Sequence, residues 1–142
     1  MSTDHPKAGP NSIPAYQLSG VPYVTASAGN EVPINTGSPV KLEFPYVTRF
    51  FQIENIDADA VLRVGFSSLG VKGTYTKNYF TIATGQKSDV LELRTKDLWF
   101  LSDHGSNLGT FRVTAGLTTI NRDEFPTLTG SFGGSSAFEG VG

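Results

Sequence analysis

The chain has 142 residues, no Cys and an almost balanced charge, with 11 Lys and Arg against 13 Asp and Glu. That length suits one domain able to bury its own core, so the lack of Cys carries no stability penalty; it excludes thiol catalysis, Cys-ligated zinc and a disulfide framework. Residues 21–121 hold nine residues of each sign and neither flank is basic (Asp4 and Lys7 before, Arg122, Asp123, Glu124 and Glu139 after), so direct nucleic-acid binding is not expected.

In chain order, residues 1–20 come first as an extended arm. Pro6, Pro10 and Pro14, with Gly9 and Gly20, fix φ and remove donors, which leaves neither helix nor central strand available. The opening residues show no cationic segment followed by an apolar one, so no signal peptide is expected, and no stretch has the length of a membrane span. The protein is expected to be soluble and made in the cytoplasm.

Residues 21–121 form the predicted domain. A short strand is expected at Tyr23–Ser27. Val40, Leu42 and Phe44 then alternate with Lys41 and Glu43, the period of a half-buried strand. Tyr46–Ile53 is apolar on parts of both faces and reads as a central strand. Leu62, Val64 and Phe66 alternate next, followed by Tyr79–Ala83, then Leu91 and Leu93 alternating with Glu92 and Arg94, then Leu98–Leu101. Phe111, Val113, Ala115 and Leu117 alternate last. Turn residues separate these runs at Asn55–Asp59, Leu69–Gly73, Thr84–Gln86 and Asp103–Asn107. Seven or eight short strands with no helical period predict an all-β antiparallel two-sheet β-sandwich, of jelly-roll or immunoglobulin-like type. Leu62, Val64, Phe66, Leu91, Leu93, Phe111 and Val113 are its predicted inward face.

Residues 122–142 are a second extended arm, rich in Gly and Ser but interrupted by Phe125, Leu128, Phe132, Phe138 and Val141. A pure spacer gains nothing from phenylalanines, so both arms are read as docking segments. Ile13, Tyr16, Leu18, Phe125, Leu128, Phe132 and Phe138 are the predicted protein–protein contacts.

Catalytic signals are thin. His5 lies in the Pro-rich start. His104 stands beside Ser102, Asp103 and Ser106, but neighbours on one tight turn rarely reach the geometry of a proton relay, and a polar hairpin tip is expected. Asn55, Asp57 and Asp59 resemble the opening of a calcium loop, yet an EF-hand would put Gly and Glu where Ala60 and Phe66 stand. Neither a catalytic residue, a metal ligand nor a cofactor is assigned. Trp99 is expected to be a buried edge rather than a sugar platform.

Glu43-Phe44-Pro45-Tyr46-Val47-Thr48-Arg49-Phe50-Phe51, followed by Ile53-Glu54-Asn55, resembles small β-sandwich structural proteins of double-stranded DNA virus particles. Asn78–Ile82, Leu91–Phe100 and the ending Phe125–Gly130 extend the likeness over most of residues 40–142. The resemblance implies a minor or auxiliary capsid protein (cement or vertex-associated), or a tail or spike component. Its partners would be other virion structural proteins and copies of itself, and it would reside in the virion. A carbohydrate- or ligand-binding sandwich is the alternative from another class, and an exposed aromatic platform would favour it.

Overall fold

The computed structural model describes residues 20–27, 32–73 and 77–126. Two antiparallel sheets pack face to face as a β-sandwich. One has three strands in the order β1 (Val21–Ala26), β7 (Phe111–Asn121) and β3 (Tyr46–Asn55). The other has four, in the order β2 (Val40–Glu43), β6 (Asp97–Ser102), β4 (Leu62–Gly65) and β5 (Tyr79–Ile82).

Register follows from the alternation. In the first sheet Tyr23 lies opposite Ala115, and Phe51 opposite Ala115 from the other side, so the inward residues of three strands share one face. In the second, Val64 lies opposite both Phe100 and Phe80, and Val40 opposite Phe100. The two inner faces meet in a core that includes Phe44, Phe51, Ile53, Leu62, Val64, Leu98, Phe100, Val113 and Leu117. Aromatic pairs stitch the layers together: Phe100 of β6 stacks on Phe111 of β7 at 4.0 Å, and Tyr23 of β1 meets Phe44 edge-on at 5.2 Å. Each such side chain contributes about 1.5–3 kcal/mol by leaving water.

Four expectations need correction. Leu93 does not face the core; it is 45% exposed. No regular strand forms around Leu91 and Leu93. Residues 86–95 instead run as an irregular strap along the outer edge of β3. Phe51 and Leu91 exchange both backbone bonds (3.0 and 2.8 Å), and Ser88 N donates to Ile53 O (2.7 Å). On its other side β3 pairs with β7 with register shifts at Tyr46/Thr48 and Thr48/Phe50; toward the strap, Thr48 N donates to Thr95 O (2.9 Å) and the Thr48 side chain adds two bonds. Its Oγ1 donates to Leu93 O (2.7 Å) and accepts from Thr95 N (3.0 Å), and this irregular pairing leaves Leu93 facing water.

β3 is therefore not the centre of its sheet. β7 is, and β3 has a strand on one side and the strap on the other. The segment read as a turn at Leu69–Gly73 contains a one-turn helix, α1 (Ser68–Lys72), capped by the Ser67 hydroxyl on Gly70 N and ended by Gly73 at φ 70°. Val71 of α1 is buried against Gly65 of β4, where a Cβ would lie 3.0 Å from the Val71 Cβ.

Phe66 and Leu91 are half-buried against the core; Leu62, Val64, Phe111 and Val113 are fully inside, as expected.

Candidate functional site

The turn after β6 holds the residues that most resemble catalytic ones, and each is occupied. His104 Nδ1 accepts from the backbone N–H groups of Ser106 and Asn107, both at 3.0 Å. An imidazole in that role carries its hydrogen on Nε2 and serves as a loop brace. Ser102 Oγ donates to Asn107 O (2.7 Å), and Asp103 Oδ1 takes the Arg63 guanidinium through Nε (2.7 Å) and Nη2 (2.6 Å). The acid is thus turned to Arg63 and the Ser102 hydroxyl to the loop, while Ser106 Oγ lies 3.3 Å from the same His104 Nδ1 that the two backbone N–H groups occupy.

The turn after β3 behaves in the same way. Asn55 is buried; its Nδ2 donates to Ala60 O (2.8 Å) and Ile82 O (3.0 Å), while its Oδ1 accepts from Asp57 N (3.0 Å). Asp57 Oδ1 accepts from Asp59 N and Ala60 N. The side-chain oxygens that would have opened a calcium loop close an Asx turn and tie β3 to β5. Among the described residues no cluster of three or more His, Asp and Glu is placed to share a metal ion.

The outer face of the four-stranded sheet carries the aromatic row. Trp99, Gly65 and Tyr79 lie side by side across β6, β4 and β5. Val71 of α1 sits over Gly65, the Arg63 guanidinium lies 4.5 Å from the Tyr79 ring centre, and the Lys41 ammonium lies 5.6 Å from that of Trp99. Arg63 also donates to Lys72 O (3.0 Å), closing the C-terminus of α1. Both rings are half-buried, and a helix fills the place between them. Among the described residues, the large apolar side chains most open to water are Val24, Tyr46, Ile56, Val90, Leu93 and Leu108, with a single aromatic among them.

A groove of about 330 Å³ opens between β5 and the strap. Phe80, Ile82 and Leu91 form its apolar wall, and Lys87, Ser88 and Asp89 its polar rim. Of its rim residues, Ser88 Oγ is engaged: it accepts from Ile53 N (2.9 Å) and donates to Asp89 O (2.9 Å).

Gly20 and the turn that follows β7 lie at the same end of the three-stranded sheet. Gly20 N donates to Leu117 O (3.1 Å), next to the start of β1. At the same end, β7 runs into a 3-10 turn (Arg122–Glu124) capped by Asn121. Arg122 holds that turn down: Nη1 donates to Phe44 O (2.8 Å) and Lys96 O (3.3 Å), and Nη2 to Asp97 Oδ1 (2.8 Å). Lys96 Nζ donates to Phe125 O (3.0 Å). Glu43 completes the cluster. Its carboxyl is held below the ordinary carboxylate range, first by a hydrogen bond from Lys41, then by the charges of Lys41 and Arg122.

Of the predicted contact residues, Phe125 is described: it is half-buried at the end of this turn. Ile13, Tyr16, Leu18, Leu128, Phe132 and Phe138 lie outside the described residues. The residue that sequence reasoning missed is Arg122. A lone Arg ahead of Asp123 and Glu124 reads as surface charge, and its partners, two carbonyls and Asp97, come from positions 25 to 78 residues away. No helix among the described residues is long and apolar enough to cross a membrane. No protein-family model and no curated protein matches this sequence.

Proposed function

We propose that this chain is a structural protein of a virus particle, a minor or auxiliary capsid component of the cement or vertex-associated kind. It acts by protein–protein contact and performs no catalysis. The observation that carries the proposal is the arrangement of the ends. Two segments of low charge, with apolar residues spaced along them, flank the sandwich at the same end of its three-stranded sheet, where Arg122 and Lys96 fasten the start of the second. The two flanking segments then serve as the contacts to its neighbours. Their apolar side chains enter grooves on adjoining subunits, and tethering many copies in a shell makes weak contacts effective.

The resemblance of most of residues 40–142 to small sandwich proteins of double-stranded DNA virus particles supports the same reading, with a tail or spike component as its variant. The occupied loops after β3 and β6 weigh against an enzyme, and the covered Trp99–Tyr79 row weighs against a sugar-binding module. The test is protein mass spectrometry of purified particles from the virus that encodes the chain. A fixed, stoichiometric copy number supports the proposal, and absence from mature particles refutes it.

A further inference from the structure

Two crossings between the sheets are clasped together by backbone bonds. The chain passes from β1 in the three-stranded sheet to β2 in the four-stranded one by a segment that includes residues 32–37, and it returns from β6 to β7 through residues 103–110. Val32 and Gly109 exchange both of their bonds (2.7 and 2.9 Å), and Ser102 N donates to Pro33 O (2.9 Å). Asn35 N donates to His104 O (3.1 Å).

One side chain shapes the returning loop. His104 Nδ1 is the acceptor for Ser106 N and Asn107 N, and Ser106 Oγ lies 3.3 Å away. The same residue therefore sets the loop through its ring and holds the other crossing through its carbonyl. A neutral imidazole can accept at Nδ1, whereas an imidazolium carries a hydrogen on both nitrogens and accepts at neither. Proton uptake at Nδ1 sets a third donor against two backbone donors. The Ser106 hydroxyl can turn a lone pair to the new N–H, but the two peptide groups lose their acceptor.

The charged groups around the loop come from three places. Asp103 lies on it and already holds the guanidinium of Arg63 from β4 (2.6 and 2.7 Å). The turn after β3 meets the loop where Asp103 N donates to Val61 O (2.7 Å), and it brings Asp57 and the exposed Asp59. Asp57 accepts from Asp59 N, Ala60 N and Thr110 Oγ1. Residues 32–37 bring no charge.

We infer that His104 is a pH switch in this clasp: the neutral ring holds residues 103–107 in the shape that receives Asn35, and protonation of Nδ1 releases them. The bracing is present toward about pH 8 and is lost toward about pH 5, the interval in which histidine side chains change charge. Release stops at Val32 and Gly109, whose paired bonds depend on no titrating group, so the sandwich stays folded. The switch belongs to the body of the protein and operates whether or not the chain is part of a particle.

The test is amide hydrogen exchange of the full chain, followed by NMR at about pH 8 and about pH 5, with each rate referred to that of an unstructured chain at the same pH. Protection of Asn35, Ser106 and Asn107 is expected to fall about tenfold or more at the lower pH, the effect of two hydrogen bonds, while the amides paired between β3 and β7 keep theirs. His104→Asn retains an acceptor without a titrating group, because an Asn carbonyl takes the same N–H groups in an Asx turn, and its protection should be alike at both pH values. His104→Phe removes the acceptor and should leave the three amides open at both. The two variants also separate His104 from His5, the other histidine. Equal protection at both pH values in the unaltered chain overturns the inference. So does an acid-induced loss that persists in His104→Asn, or full protection in His104→Phe. Imidazole nitrogen shifts that place the hydrogen on Nδ1 at the higher pH overturn it as well.

Discussion

Arg122 is the joint between the body and the C-terminal segment, and replacing it measures how firmly that joint is made. Arg122→Ala removes the guanidinium from Phe44 O, Lys96 O and Asp97 Oδ1. Asp97 is buried and keeps only Lys41, at 3.9 Å. A hydrogen bond involving a charged group is worth about 1.5–3 kcal/mol, and breaking a buried pair costs more because one charge is left behind. Here the Arg122 side chain is partly open to water, so the expected loss is about 2–4 kcal/mol. Urea unfolding followed by the fluorescence of Trp99 reads it: at an m-value of about 2 kcal/mol/M, the midpoint falls by about 1–2 M. Arg122→Lys should recover less than half, because one ammonium cannot span two carbonyls and a carboxylate as the planar fork does. Hydrogen exchange at the Phe125 amide, which donates to Arg122 O (3.2 Å), should accelerate in both variants. A change in stability below about 0.5 kcal/mol in Arg122→Ala would refute the anchoring role.

Three further outcomes follow from the same structure. Phe111→Ala, which deletes a ring stacked on Phe100 between the sheets, should cost about 3–5 kcal/mol in urea unfolding; an unchanged midpoint would mean the ring is not in the core. Gly65→Ala places a Cβ 3.3 Å from the Val71 backbone as well as against its side chain, and should lower stability by about 1–3 kcal/mol in thermal unfolding. Glu43 titrates below its unfolded value, so its contribution to stability is present above the ordinary carboxylate range and is lost as pH falls through the lowered value. In NMR titration Lys41→Met should move the Glu43 midpoint back up, and a midpoint unmoved by that substitution would contradict the assigned cause.

Strand content was legible where alternation is unbroken. Phe111-Arg112-Val113-Thr114-Ala115 marks β7, and Leu62-Arg63-Val64 marks β4, because one face is dry and the other wet. The misread places are those where a side chain or a distant residue replaces a regular backbone pattern. Leu91-Glu92-Leu93 has a strand's period, yet Thr48 Oγ1 takes the Leu93 carbonyl and turns the segment into a strap. Leu69–Gly73 has a turn's composition, and its single helical turn depends on the Ser67 cap and on Val71 finding Gly65, a contact between elements. Sheet order was not legible, since nothing in Tyr46–Ile53 states that β7 lies on one side and a strap on the other. The polar tips at Asn55–Asp59 and Asp103–Asn107 were legible as turns because their Asx and His side chains bond locally. Arg122 was not, because its acceptors belong to two distant segments, at Phe44 and at Lys96–Asp97.

The central claim of the proposed function is that the segments flanking the sandwich make contacts of assembly. Deleting residues 126–142 tests it most directly, since the last anchored group among the described residues is the Phe125 carbonyl. The account predicts an unfolding midpoint close to that of the full chain together with a sharp fall in incorporation into particles, as the apolar side chains of the arm each lose about 1.5–3 kcal/mol of burial in a neighbour. Undiminished incorporation of the shortened chain would contradict it.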